Sequence, residues 1–179
     1  HWAPGTLPEP CEPPLRETVF WTPPQLTAPD AQDRVNASAA YGFVFDICAI
    51  ELDRATGGVQ IVRYVTAHDA GRLLHPALAD GQVRGGFAQA VGAALWEELR
   101  YGADGQFLSG TFADYLLPTA VSVPDPTIVH TQTPSPFTPL GAKGIGEGNS
   151  MSTPVCIANA VADALSTLPR GRDAVDIRL

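Results

Sequence analysis

The residues with the most chemistry in their types and spacing lie in Pro139–Pro154, PLGAKGIGEGNSMSTP. Gly141, Gly144 and Gly146 are interleaved with Lys143, and Glu147 and Gly148 follow at once. Glycine lets backbone N–H groups face a ligand, and the helix start expected just beyond favours negative charge. A carboxylate works against pure anion binding at such a place. A glutamate held on a glycine-rich turn fits a positioned base better. The segment is not a phosphate-binding P-loop, because the spacing is wrong and no Lys-Ser/Thr pair precedes the helix. A plain glycine-rich turn with a solvated Glu147 is the competing reading of the same residues.

A second segment, DGQVRGGFAQA (Asp80–Ala90), carries Gln82 and Gln89 on one face of an expected helix. Their carboxamides can donate to and accept from a polar cofactor, although ordinary surface glutamines would look the same. The other candidates are weaker. His1, His68, His75 and His130 show no metal-ligand spacing, and Ser135, Ser150 and Ser152 sit in no nucleophile elbow. No residue of the chain is therefore assigned as a metal ligand. Asp69 with Gly71 reads as a turn. Cys48 and Cys156 lie in apolar runs and read as core thiols.

These segments need a scaffold. AYGFVFDICAIEL (40–52) alternates with apolar residues on both faces, which predicts a long strand buried on much of each side. DRATGG (53–58) is turn chemistry, and VQIVRYVTA (59–67) returns as the second strand of a hairpin. HDAGRLLHP (68–76) connects to a helix over 77–99, in which Val83, Phe87, Ala90, Val91, Ala94 and Leu95 recur at spacings of three and four. Gly81, Gly85, Gly86 and Gly92 interrupt that helix at a cost of about 1 kcal/mol each relative to alanine. They imply close approach of a neighbouring backbone or ligand, or tight helix–sheet packing. A short hairpin is expected around Asp104-Gly105, a strand over 128–135, and a second helix over 153–168 with Pro154 in its first turn. GRDAVDIRL (171–179) opens a last strand. Strands and helices mix without strict alternation, so the fold class is α+β, a mixed sheet with a long hairpin and packed helices.

Residues 1–36 are set apart by Pro4, Pro8, Pro10, Pro13, Pro14, Pro23, Pro24 and Pro29, interleaved with Trp2, Phe20 and Trp21. Such a segment is expected to be an extended arm lying on another surface, with residues 37–179 as the folded domain. A disordered lead-in is the alternative. With 179 residues, 45% apolar and 17% charged, the chain can bury a core. Its net charge of −8 makes it a poor partner for nucleic acid. Cys11, Cys48 and Cys156 form no C-x-x-C pair, and no apolar run approaches membrane-spanning length. A reducing, cytoplasmic setting is the simplest expectation. The start at His1 and the end in AVDIRL read as cuts in a longer polypeptide.

Taken in order, SAAYGFVFDICAIELDRATG, VRYVTAHDAGRLLHPALADGQVRGGFAQAVGAALWEELRY, FADYLLPTA, TPSPFTPLGAKGIGEGNSMSTP and CIANAVADAL resemble the molybdopterin-binding large subunits of the xanthine dehydrogenase/aldehyde oxidase family. The flavour is that of aerobic carbon monoxide dehydrogenase-like subunits. The resemblance runs from about Pro4 to the end of the chain, the C-terminal segment of a molybdopterin-binding domain. It implies a molybdenum hydroxylase in which Glu147, in the Gly-Glu after the G-x-K-G-x-G run, takes a proton from molybdenum-bound water or hydroxide. The oxygen then attacks an electron-poor carbon of a small substrate, and a hydride passes to the sulfido group. Gln82 is implied as a contact to the pyranopterin, with Lys143, Gly144 and Gly146 lining the same site. The implied cofactor is molybdopterin cytosine dinucleotide, with two [2Fe–2S] clusters on a small subunit and FAD on a medium subunit. The family's large subunit is several times longer, so the resemblance also implies that this chain alone neither holds the cofactor tightly nor turns over. An isolated interaction module without catalysis is the alternative.

Overall fold

The computed structural model describes residues 17–166. The N-terminal aromatics around Trp2, the thiol of Cys11 and the strand expected over 171–179 lie outside the described residues. The chain divides into two compact units, 1–39 and 40–179.

The first unit is not uniformly extended over its described part. Asp30 accepts from the amides of Gln32 and Arg34 at 2.8 and 3.0 Å and pairs with the Arg34 guanidinium. Asp33 takes the left-handed conformation at φ 57°, which closes this turn. Asn36 then ties the two limbs together, donating from its amide to Thr27 Oγ1 at 3.0 Å and from Nδ2 to the Gln25 carbonyl at 2.7 Å. Proline removes ladder donors, so asparagine and aspartate side chains supply the closure instead.

In the second unit the described elements follow as β1 (Phe43–Leu52), β2 (Val59–Asp69), α1 (Pro76–Leu95), β3 (Thr127–Thr131) and α2 (Asn149–Ser166). The hairpin forms as its sequence dictates. Gly57 turns at φ 75°, and the Asp53 amide donates to the Gly58 carbonyl at 2.9 Å. β1 and β2 pair antiparallel with Asp46 opposite Thr66 and Cys48 opposite Tyr64. Ala49 faces Arg63 while Ile50 faces Ile61, so Val62 is an extra residue in β2, a bulge. β2 pairs parallel with β3, His68 beside His130. Parallel neighbours need a crossover, and α1 lies within that connection. The sheet order is β1-β2-β3, a mixed sheet with helices packed on it. The fold is α+β, as the pattern of elements predicts.

One face of the sheet and the two helices enclose the core of Ile61, Tyr64, Phe87, Val91 and Ile157. Tyr64 and Phe87 stack in a tilted pair with ring centroids 4.4 Å apart. The opposite face differs from expectation. Phe43 and Phe45 are 67% exposed, and Ile47, Val62 and Val129 are also open. Alternation on β1 shows two apolar faces, and among the described residues the helices cover one of them.

The helices start earlier than their patterns predict. β2 also runs on through His68 and Asp69. His75 caps α1 by accepting from the Leu78 amide at 3.3 Å, with Pro76 in the first turn. α1 closes near Trp96, where the Gly92 carbonyl takes both the Trp96 and Glu97 amides. α2 begins at Asn149, so Pro154 falls inside the helix rather than at its start. The residues around Asp104-Gly105 form a tight turn with a single bridge, Tyr101 to Phe107. None of the helices in the described residues is long and apolar enough to cross a membrane.

Candidate functional site

The loop before α2 is assembled against the ends of β2 and α1. Gly141 turns at φ 70°, and its carbonyl accepts from the amides of Arg72 and Ser135, both at 3.0 Å. The Lys143 amide donates to the Ala70 carbonyl at 2.8 Å, so the loop runs beside residues 70–72 as an added strand-like rung. Gly71, at φ 64°, permits this contact. A methyl group there would collide with the Gly141 carbonyl oxygen and lie 3.1 Å from Lys143 Cγ.

Beyond Lys143 the chain passes Gln82. A methyl group on Gly146 would sit 3.6 Å from Gln82 Oε1, which brings the expected cofactor contacts Gln82 and Gly146 together. Gly144 is exposed, with open space where a side chain would be. Gln82 and Lys143 also line a cleft of about 220 Å³ with Ala70, Leu74, Leu78 and Ile145. The Lys143 ammonium points elsewhere. It donates to Thr133 Oγ1 at 2.7 Å, lies 3.4 Å from Asp69 Oδ1 and stands 5.7 Å above the Phe43 ring.

Glu147 occupies the left-handed region at φ 53°. Its carbonyl receives the Ser150 amide at 3.0 Å, and the Gly148 carbonyl receives Met151 at 3.3 Å, which starts α2 with a tightened turn. The side chain is exposed, while Gly148 and Asn149 behind it are buried. The glycines of α1 now separate by role. A methyl group on Gly86 would lie 3.3 Å from Glu147 Cα, so Gly86 gives the glutamate turn its seat on the helix. Gly92 instead makes room for Pro118, and Gly81 and Gly85 face open space. Gln89 is exposed on α1.

Two polar clusters flank this turn. On the outer side Asp69 accepts from the Gly71 amide at 2.9 Å, from the Thr133 amide at 3.3 Å and from the Thr133 hydroxyl. Burial opposes the Asp69 charge. The Thr133 hydroxyl, the two amides and the Lys143 cation outweigh it and hold the carboxyl at about 2. On the inner side Asn149 Nδ2 donates to Thr66 Oγ1 at 3.1 Å and Thr153 Oγ1 at 3.3 Å. His68 Nε2 lies 3.0 Å from Thr66 Oγ1, and Tyr64 donates to Thr153 Oγ1 at 2.8 Å. Burial pushes the His68 imidazole below its ordinary range, against the opposing pull of the Asp46 carboxylate and the Asn149 side chain. Sequence reasoning missed this inner cluster. Its one local sign is that Tyr64, Thr66 and His68 alternate on the core-facing side of β2.

Comparisons with known proteins show the family and the fold. Residues 7–124 match the family model of the molybdopterin cofactor-binding domain. The chain belongs to that family. It is 36% identical over 171 residues to the carbon monoxide dehydrogenase large chain of Afipia carboxidovorans, covering 95% of this chain and 20% of that one. Among solved structures, quinoline 2-oxidoreductase from Pseudomonas putida 86 superimposes with a TM-score of 0.65 at 41% identity, covering 66% of this chain and 15% of that one. Aldehyde oxidoreductase from Desulfovibrio gigas gives a TM-score of 0.70 at 29% identity over 79% of this chain and 15% of its own. The chain thus spans about a fifth of the length of the first of these relatives. Its kin are molybdenum oxidoreductases, and its fold is that of their molybdopterin-binding domains.

Proposed function

We propose that this chain forms one wall of the active site in a molybdenum hydroxylase large subunit and that Glu147 is its base. The observation that carries the reading is the backbone of Glu147. A left-handed residue with a side chain costs about 1–2 kcal/mol, and glycine would remove that cost. Glu147 stands there at φ 53° between two glycines, seated on Gly86, with its carboxylate exposed. Strain of this kind gathers where a side chain must be aimed.

The residues around it fit a pterin. Gln82 offers a carboxamide beside Gly146, and Gly144 leaves open space where a bulky polar group can lie against backbone. Gln82, Gly144 and Gly146 are proposed to hold the cofactor directly. Lys143 is proposed to line the site through its backbone, since Asp69 and Thr133 engage its ammonium. When bound, the molybdenum centre supplies the oxygen-transfer and two-electron chemistry. Glu147 accepts a proton from the attacking water, and the turn that carries it fixes the direction of that transfer. The proposed cofactor form is the cytosine dinucleotide. The proposed partners are the rest of the large subunit, an iron–sulfur small subunit and a FAD medium subunit. A cytoplasmic setting agrees with the free thiols of Cys48 and Cys156.

The test is Glu147→Gln in the assembled enzyme. Carbon monoxide, benzaldehyde and quinoline serve as probe substrates, with a dye as electron acceptor. Turnover is expected to fall by about 100-fold or more, with molybdenum and cytosine nucleotide content unchanged. Retained turnover would remove Glu147 as the base.

A second reading takes the chain as a docking module with no turnover of its own. The open apolar sheet face of Phe43, Phe45, Ile47, Val62 and Val129 favours it. The chain purified alone is then expected to carry no molybdenum, and molybdenum near one per chain would sink this reading.

A further inference from the structure

We infer that Asn149 and Thr66 are positioning residues for Glu147, an inference that rests on the reading of Glu147 as the base. Asn149 is the first residue of α2 and lies two positions after the glutamate. Its side chain and that of Thr66 are both 0% exposed. The Asn149 amide reaches sideways to Thr66 on β2 at 3.1 Å and forward one turn to Thr153 at 3.3 Å. Thr153 is itself fixed by the Tyr64 hydroxyl at 2.8 Å, and its own hydroxyl lies 3.4 Å from Asp46 Oδ2. The start of α2 is therefore bonded both to the sheet and along its own axis.

Gly148, between Glu147 and Asn149, is pressed onto the same sheet. A methyl group there would lie 3.3 Å from His68 Cε1 and 3.3 Å from Val44 Cγ2. Gly86 closes the opposite side, where a methyl group on it would lie 3.3 Å from Glu147 Cα. The glutamate is thus held between α1 and an anchor in the sheet, in a conformation that L side chains rarely adopt. Release of Asn149 removes the sheet anchor and lets the turn relax toward ordinary φ values. Stability alone would not select this pair. Asn149 and Thr66 are both 0% exposed, and replacing both partners of a buried hydrogen bond by apolar groups of the same shape can be nearly neutral. Directional bonds from a rigid strand are what aiming requires.

The test uses Thr66→Val and Asn149→Asp in the assembled, molybdenum-loaded enzyme. The aspartate keeps the asparagine shape, surrenders its donors and suits a helix N-terminus, so it covers the case in which the valine variant fails to load. Hydrogen exchange is read first because it needs no substrate. Amides of residues 145–148 are expected to exchange about tenfold faster, while those of α1 keep their protection. With the same probe substrates, kcat is expected to fall about tenfold at unchanged KM, and Thr66→Ser to restore it. In the Glu147→Gln background the same changes should cost nothing further. Unchanged exchange at 145–148 together with unchanged kcat in a loaded variant would overturn the inference. Loss of turnover in Glu147→Gln without loss in these variants refutes the positioning role and leaves the base intact. Survival of Glu147→Gln refutes the base itself.

Discussion

The two flanks of the Glu147 turn solve one problem by different means. The outer flank, Asp69 with Thr133 and Lys143, is charged and ties the front of the loop to the end of β2. The inner flank, Asn149 with Thr66 and Thr153, is neutral and fully buried. A charged pair tolerates small displacements because its attraction falls slowly with distance. A buried amide–hydroxyl bond weakens steeply with angle and distance. The chain thus uses charge where the loop has only to be kept in place, and geometry beside the side chain that has to be aimed.

The largest effect on stability is expected from breaking the outer flank at its backbone. In Gly71→Ala the new methyl meets the Gly141 carbonyl in a left-handed residue. The cost is about 3 kcal/mol, from the left-handed conformation and the steric overlap together. Gly57→Ala is the matched control, because Gly57 is also left-handed, at φ 75°, but has open space around it. That change should cost only about 1 kcal/mol. Equal urea midpoints for the two variants would show that the Gly71 contact carries no weight.

The difference between the flanks also decides what could be read before the structure. The hairpin and both helices follow from local pattern, since alternation, a Gly-Gly turn and spacings of three and four are all properties of adjacent residues. The Gly-rich loop and Glu147 stand out for the same reason. The grip on the loop is not local. Lys143 meets Asp69 across 74 residues and Asn149 meets Thr66 across 83. Asp69 was legible as a turn former, which it is through the Gly71 amide, but its cation partner was not. The glycines of α1 announced close approach without saying to what. Only tertiary packing assigns Gly86 to Glu147 and Gly92 to Pro118.

The smallest expected effect separates the flanks by pH. Asp69 is held at about 2 in the fold against an ordinary 3.8. The unfolded chain therefore takes up this proton first, and the stability Asp69 contributes is complete above about pH 4 and lost as pH falls toward 2. His68 is also depressed, by burial. The unfolded imidazole protonates first from about pH 6.5 downward, so stability on the inner side starts to fall in that higher window. Both slopes have the same sign, with stability rising with pH, but they occupy different ranges. Urea unfolding of the wild type and Asp69→Asn between pH 7 and pH 2 distinguishes them. The two curves should run parallel above about pH 4 and converge below it, because the variant has no carboxylate left to protonate. Convergence already at pH 6 would mean that Asp69 and His68 titrate as one coupled system, and the two flanks would then be a single electrostatic unit.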